Sequence, residues 1–306
     1  MNDIVNRMIS TQLLLFIYML CGVIIRRAGI IRNDNRQGVV RLLMDVAMPM
    51  MVLSAFNNPV TANEIRSSLW IMAIALAGCV VTGIIGRFAW RNQPESKRKV
   101  LMYGSMFSNA GNAGLPVVSL VFGPMGVFLA SMYLIPPRIL QWTVGLGLFI
   151  KPQKGGWVRN VLLNPMVVVV YIGFVLMAFN WQIPGVFGAA IENIGAITGP
   201  LSMILIGATL SDINVRMLLD KAVWLISFLR LIAFPALFVL ILKLLGADAM
   251  TMNIGVILLA MPVASNTAAI SERYGGDHVF ASVCVSVSTL LSVITVPAIT
   301  WLIQLV

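Results

Sequence analysis

Apolar runs long enough to cross a bilayer recur along this chain, separated by short polar or basic segments. They fall at roughly 10–30, 38–57, 67–90, 98–120, 124–149, 159–179, 186–211, 218–245, 251–271 and 278–304. A helix needs about 20 apolar residues to cross about 30 Å of hydrocarbon, so the pattern predicts ten membrane-spanning helices. The short gap at Phe122-Gly-Pro-Met-Gly126 is where a count of nine or eleven would be argued. Spans four and nine break the pattern internally. Phe107-Ser-Asn-Ala-Gly-Asn-Ala-Gly-Leu-Pro-Val117 places two Asn, two Gly and a Pro inside an apolar run, and Met261-Pro-Val-Ala-Ser-Asn-Thr267 does something similar in span nine. Such stretches predict helices that stop part-way across the membrane and expose polar backbone there.

Composition strengthens the membrane reading. Of 306 residues, 59% are hydrophobic and 10% charged, with mean hydropathy +0.94. Soluble domains are about a quarter charged. The net charge of +10 would suggest nucleic acid in a soluble protein. Here the basic residues cluster in loops, which points to cytoplasmic anchoring and away from a nucleic-acid partner. Cys21, Cys79 and Cys284 stand apart in apolar segments, and His278 is the sole histidine. Neither a disulfide framework nor a metal or other cofactor is expected. The first apolar run follows Met1–Ser10 without a small-x-small cleavage pattern and is taken as span one.

Loop charges set the orientation. Arg26, Arg27, Arg32, Arg36 and Arg41 share one side with Arg87, Arg91, Lys97, Arg98, Lys99, Lys151, Lys154, Arg159, Arg216, Lys221 and Arg273. The opposite side holds Arg7, Arg66 and Lys243, whereas Arg138 and Arg230 fall within spans. The positive-inside rule then puts both termini outside. Spans one and six start on opposite sides, so halves 1–150 and 158–306, joined by 151–157, would form two inverted five-helix repeats. Phe122–Ala130 can be laid beside Tyr274–Ser282, and Pro49 beside Pro200, at nearly the same offset. Paired broken helices in inverted repeats mark the substrate site of many secondary transporters.

The interruptions supply suitable chemistry. Gly111 and Gly114 permit close approach, and Pro116 and Pro262 withhold an N–H. Asn109, Asn112, Ser265, Asn266 and Thr267 offer side-chain donors and acceptors. Crossed half-helix N-termini would concentrate partial positive charge, and neither break contains Asp or Glu. A small anion is therefore the expected solute. Arg138, after Pro136-Pro137, is a candidate anion partner, or else a residue that snorkels or ties helices together. Arg230 is a weaker candidate. Asp45 is a candidate coupling residue, or a partner of Arg41 near the interface. Glu192 would cap span seven or sit in an external vestibule.

Several motifs together resemble the auxin efflux carrier family, particularly its short bacterial members regarded as malate, malonate or other organic-anion permeases. They are Asn109-Ala-Gly-Asn-Ala-Gly-Leu-Pro-Val117, Met48-Pro-Met50, Gly199-Pro-Leu-Ser-Met203 with Ile206-Gly-Ala-Thr-Leu210, and Met261-Pro-Val263. The resemblance implies an all-α membrane protein of ten helices whose broken helices four and nine cross. It implies spans 1, 2, 6 and 7 as scaffold and homodimer contact, with spans 3–5 and 8–10 as a domain that moves elevator-style. It also implies crossover prolines Pro116 and Pro262 and a binding role for Asn112; it assigns no role to Arg138. The resulting expectation is a secondary carrier of a malate- or malonate-like carboxylate in a bacterial inner membrane, coupled to H+ more readily than to Na+. A sodium-coupled bile-acid-type carrier and an anion channel or receptor on the same scaffold are the competing readings. An enzyme is disfavoured, since no Ser/His/Asp arrangement, nucleotide loop or metal cluster is present in the sequence.

Overall fold

The fold is described from a computed structural model covering residues 2–32, 34–57, 62–149, 165–179, 181–211 and 219–305. The proposed joint at 151–157 lies outside the described residues. The helices are α1 (Asn2–Arg27), α2 (Arg36–Phe56), α3 (Ala62–Ala89), α4 (Glu95–Met106) and α5 (Leu115–Leu140). They continue with α6 (Pro165–Ala178), α7 (Gly185–Ala196), α8 (Thr198–Leu210) and α9 (Lys221–Leu244). The chain ends with α10 (Ala249–Leu259), α11 (Thr267–Tyr274) and α12 (His278–Leu305). Among the described residues, six helical stretches are long and apolar enough to cross a membrane. Large apolar side chains such as Leu69, Ile84, Phe88, Phe179 and Ile294 face outward, which suits lipid contact and not water. The chain is an all-α, multi-pass membrane protein.

Proline accounts for much of the local irregularity. Pro49, Pro116 and Pro235 each occupy the first turn of a helical segment, and each follows a π turn: Leu42–Ala47, Ala110–Gly114 and Leu229–Ala233. A proline has no N–H to return to the preceding turn and crowds its carbonyl, so the backbone widens locally. At Gly123 the backbone leaves the helix altogether, at φ 63° and ψ −155°. That kink falls within the Phe122–Gly126 gap of the sequence.

Small residues let the helices meet closely. Gly22 of α1 and Gly207 of α8 lie against the Ile204 and Met19 carbonyls with no room for a Cβ. A Cβ at Gly195 of α7 would stand 2.7 Å from the Met51 Cα of α2. Membrane helices gain little from apolar transfer alone, so such backbone approach supplies much of the packing attraction. Elsewhere Phe56 packs edge-on against Phe128, centroids 5.1 Å apart, and Gly173 of α6 leaves space for the Phe56 ring. A separate cluster buries Val100 of α4, Ile226 of α9, and Phe280 and Val283 of α12 together with Val263 of the second interruption.

Candidate functional site

The two interruptions meet. Helix α4 ends at Met106, Phe107 becomes extended (φ −116°, ψ 118°), and Ser108 forms an isolated antiparallel bridge with Val263. The Asn109 N–H donates to the Pro262 carbonyl at 2.8 Å, and the Ala264 N–H donates to the Phe107 carbonyl at 3.2 Å. The Ser108 hydroxyl donates to the Leu258 carbonyl at 2.9 Å, and the Val263 N–H donates to Ser288 Oγ at 3.2 Å. Backbone groups freed from the helices thus find one another, which a low-dielectric interior demands.

The position of the first break differs from the simplest reading of its sequence. Gly111–Pro116 is helical, and the extended residues are Phe107 and its neighbours. Gly114 has helical dihedrals (φ −74°, ψ −45°); its lack of a side chain serves packing, because a Cβ there would meet Leu258 Cδ2 at 2.7 Å. Pro116 lies just after the π turn Ala110–Gly114, whose wider backbone accommodates a residue with no N–H to return to the preceding turn.

A cavity of about 40 Å³ lies beside this crossing, lined in part by Asn109, Gly111, Asn112, Arg138, Ser265 and Asn266. Six of the sequence-derived candidates therefore share one wall. Asn112 Nδ2 donates to Ser265 Oγ at 2.8 Å, and Ser265 Oγ donates to Asn109 Oδ1 at 3.3 Å. This chain of bonds stitches the two breaks together through side chains as well as backbone. The remaining candidates lie elsewhere. Pro262 contributes its carbonyl to the crossing, whereas the Thr267 hydroxyl donates to the Ala264 carbonyl at 2.6 Å. Pro116 lines a second, larger cavity of about 350 Å³, with Tyr18, Ser54, Ser119 and Glu192 also on its wall. Asp45 is exposed and does not line the crossover cavity; among the described residues it makes no ion pair, with Arg41 or any other group. Glu192 is exposed and lines the larger cavity, and α7 begins seven residues before it, so it is not that helix's cap.

Donors outnumber acceptors at the small cavity. Among the described residues, its lining contains no carboxylate. Asn109 is 4% exposed, and its Nδ2 has no hydrogen-bond partner. Tyr103 is fully buried, and its hydroxyl has no hydrogen-bond partner. Arg138 brings a guanidinium whose Nη2 stands 3.7 Å from where a Gly111 Cβ would be, and among the described residues it forms no ion pair. The π turn Ala110–Gly114 and α11 both begin here, with Asn109 and Asn266 at their N-cap positions. Helix starts carry unpaired N–H groups and partial positive charge. Unspent donors, helix starts and one guanidinium all favour a negatively charged occupant.

Sequence reasoning missed Met44, Leu134, Pro137 and Gln141, which also line the cavity, and the buried, unpartnered hydroxyl of Tyr103. Met44 and Leu134 carry no polar signal. Tyr103 reads as one more apolar position of span four.

The family model described as "Membrane transport protein" matches residues 8–161 and 156–300. The chain belongs to this family, that of the auxin efflux carriers. Membership makes it a membrane transport protein and not an enzyme. The described residues contain no group of three or more His, Cys, Asp or Glu side chains placed to hold a metal ion. Among relatives, an "Uncharacterized transporter" of Methanothermobacter thermautotrophicus is 25% identical over 294 residues, 94% of this chain and 96% of its own length. Another of Methanocaldococcus jannaschii is 22% identical over 303 residues, 95% and 97% of the two chains. A "Putative malonate transporter" of Rhizobium meliloti is 25% identical over 150 residues, 49% of this chain and 47% of its own.

Proposed function

We propose that this family member is a secondary carrier of a small organic anion, a malonate- or malate-like carboxylate, bound at the crossing of the two broken helices. One observation carries the reading: the cavity there joins the buried, unpartnered Asn109 Nδ2 to a guanidinium, and its described lining contains no carboxylate. The Rhizobium meliloti relative named for malonate supports the choice of substrate class. The cavity holds only a few waters, so a dicarboxylate requires it to widen. The larger cavity beyond Pro116 is the natural approach.

The transport cycle follows from this placement. Ten spans in two inverted repeats would put the crossing near mid-membrane, with both termini outside the cytoplasmic membrane. Spans 1, 2, 6 and 7 would stand fixed and join two copies, while spans 3–5 and 8–10 carry the site across. H+ is preferred to Na+ as coupling ion, because among the described residues no acidic cluster flanks the crossing.

The test is binding and uptake by purified, reconstituted protein across malonate, malate, succinate, lactate and indole-3-acetate, with and without pH and sodium gradients. Saturable uptake and counterflow of at least one small carboxylate are expected. Linear, non-exchanging flux would sink the carrier reading, and preference for a neutral or cationic solute would sink the anion assignment.

A further inference from the structure

On the far side of the crossing lies a second charge. Arg230, on α9, is 1% exposed. Its Nη1 donates to the Ser105 carbonyl at 2.8 Å and its Nη2 to the Leu259 carbonyl at 3.1 Å. Ser105 is the penultimate residue of α4, and Leu259 is the last of α10. One guanidinium therefore caps the C-terminal ends of both half-helices immediately before their breaks. Among the described residues no carboxylate pairs with it.

Electrostatics explains how such a charge survives burial. The carbonyls at a helix C-terminus act as about half an elementary negative charge, so two converging C-termini offset roughly one positive charge. The last-turn carbonyls would otherwise lack partners. Reach matters as well: the π turn Leu229–Ala233 carries Arg230, and its planar fork presents two donors to two separate helices. The crossing is thus polarised, with helix starts facing the solute cavity and helix ends facing Arg230.

In carriers built from broken helices, the C-terminal half-helix ends and unwound carbonyls commonly coordinate a coupling cation. We propose that Arg230 is a resident cation occupying that position, so that this transporter needs no sodium ion to hold its half-helix ends together. This rests on the crossing being the transport centre, but its thermal test uses no substrate. Failure there is therefore separate from failure of the carboxylate assignment.

The experiment compares the thermal stability of purified wild-type protein, Arg230→Ala, Arg230→Lys and Arg230→Met. Wild type should melt at the same temperature in sodium, potassium and choline chloride at equal ionic strength. Arg230→Ala should melt lower, and millimolar guanidinium should recover at least half of the loss while equal urea recovers none. Arg230→Lys, which keeps the charge, should retain more stability and more uptake than Arg230→Met. A sodium-specific rise in wild-type stability would overturn the proposal, because the position would then be open to the free ion. So would an Arg230→Ala protein indifferent to guanidinium, or Arg230→Met matching Arg230→Lys. If no variant folds, the wild-type sodium comparison still decides.

Discussion

Replacing Arg138 by Gln removes the cation from the solute cavity while leaving a side chain of similar reach. The described lining then holds no full charge of either sign, since it has no carboxylate to be unmasked. A charge-assisted hydrogen bond contributes roughly 1.5–3 kcal/mol, which corresponds to about 10- to 150-fold in dissociation constant. A dicarboxylate should lose more than a monocarboxylate, because it brings the greater charge to the same guanidinium. Arg138→Lys should lie between the two, keeping the charge but losing the two-pronged geometry. Competition of unlabelled malonate and lactate against labelled uptake gives the affinities, with thermal stability in detergent checking that each variant is folded. A folded Arg138→Gln protein whose affinities for malonate and lactate both change less than about threefold would refute the reasoning. Arg138 would then be a helix-tying residue that merely borders the cavity.

Further outcomes follow from other contacts. Asn112→Ala cuts the bond to Ser265 that joins the two breaks; saturable binding should fall at least tenfold while membrane insertion persists, and unchanged transport would remove Asn112 from the site. Gly207→Val forces α1 and α8 apart at the Met19 carbonyl and should cost about 1–3 kcal/mol or more, read as a lower melting temperature; an unshifted melt would mean that the helices are not in backbone contact. Asp220 caps α9 through the Ala222 N–H at 2.9 Å and pairs with Lys97 at 2.5 Å. Partial burial raises its pKa, but the bonds from Lys97 and Ala222 and the Lys97 charge outweigh it, leaving the carboxyl below its ordinary value. Its stabilisation is therefore present above the ordinary carboxylate range and lost as pH falls through the depressed value. Asp220→Asn should cost about 1 kcal/mol near neutral pH, and the gap from wild type should close in acid; a gap independent of pH would assign the loss to something other than the carboxylate charge.

What was legible in the sequence was polarity out of place. Asn109, Asn112, Ser265 and Asn266 sit in runs where lipid-facing residues would be apolar, and the structure brings those four to one cavity. The location of the first break was not legible, because Pro116 and Gly114 draw attention to the helix that follows it. A first-turn proline starts a helix as readily as an interior proline disrupts one, and only the backbone distinguishes the two. Arg230 was undervalued for a different reason. Its partners are the carbonyls of Ser105 and Leu259, and a carbonyl exists at every residue, so no side-chain pattern announces the contact. Tyr103 was hidden for another reason: it packs against Phe107 and Phe149, so in an apolar run it reads as packing.

The bridge between Ser108 and Val263 also constrains how the protein is made. Its two residues come from opposite halves of the chain, and a ribosome delivers them in order. Until the later half is inserted, the Asn109 N–H and the Phe107 carbonyl lack the partners they have in the finished fold. Unpaired backbone in hydrocarbon costs several kcal/mol per group, so the early half must wait in a strained or water-exposed form. A truncated or stalled chain would display that unpaired edge, which gives membrane quality control a simple feature by which to tell unfinished copies from complete ones.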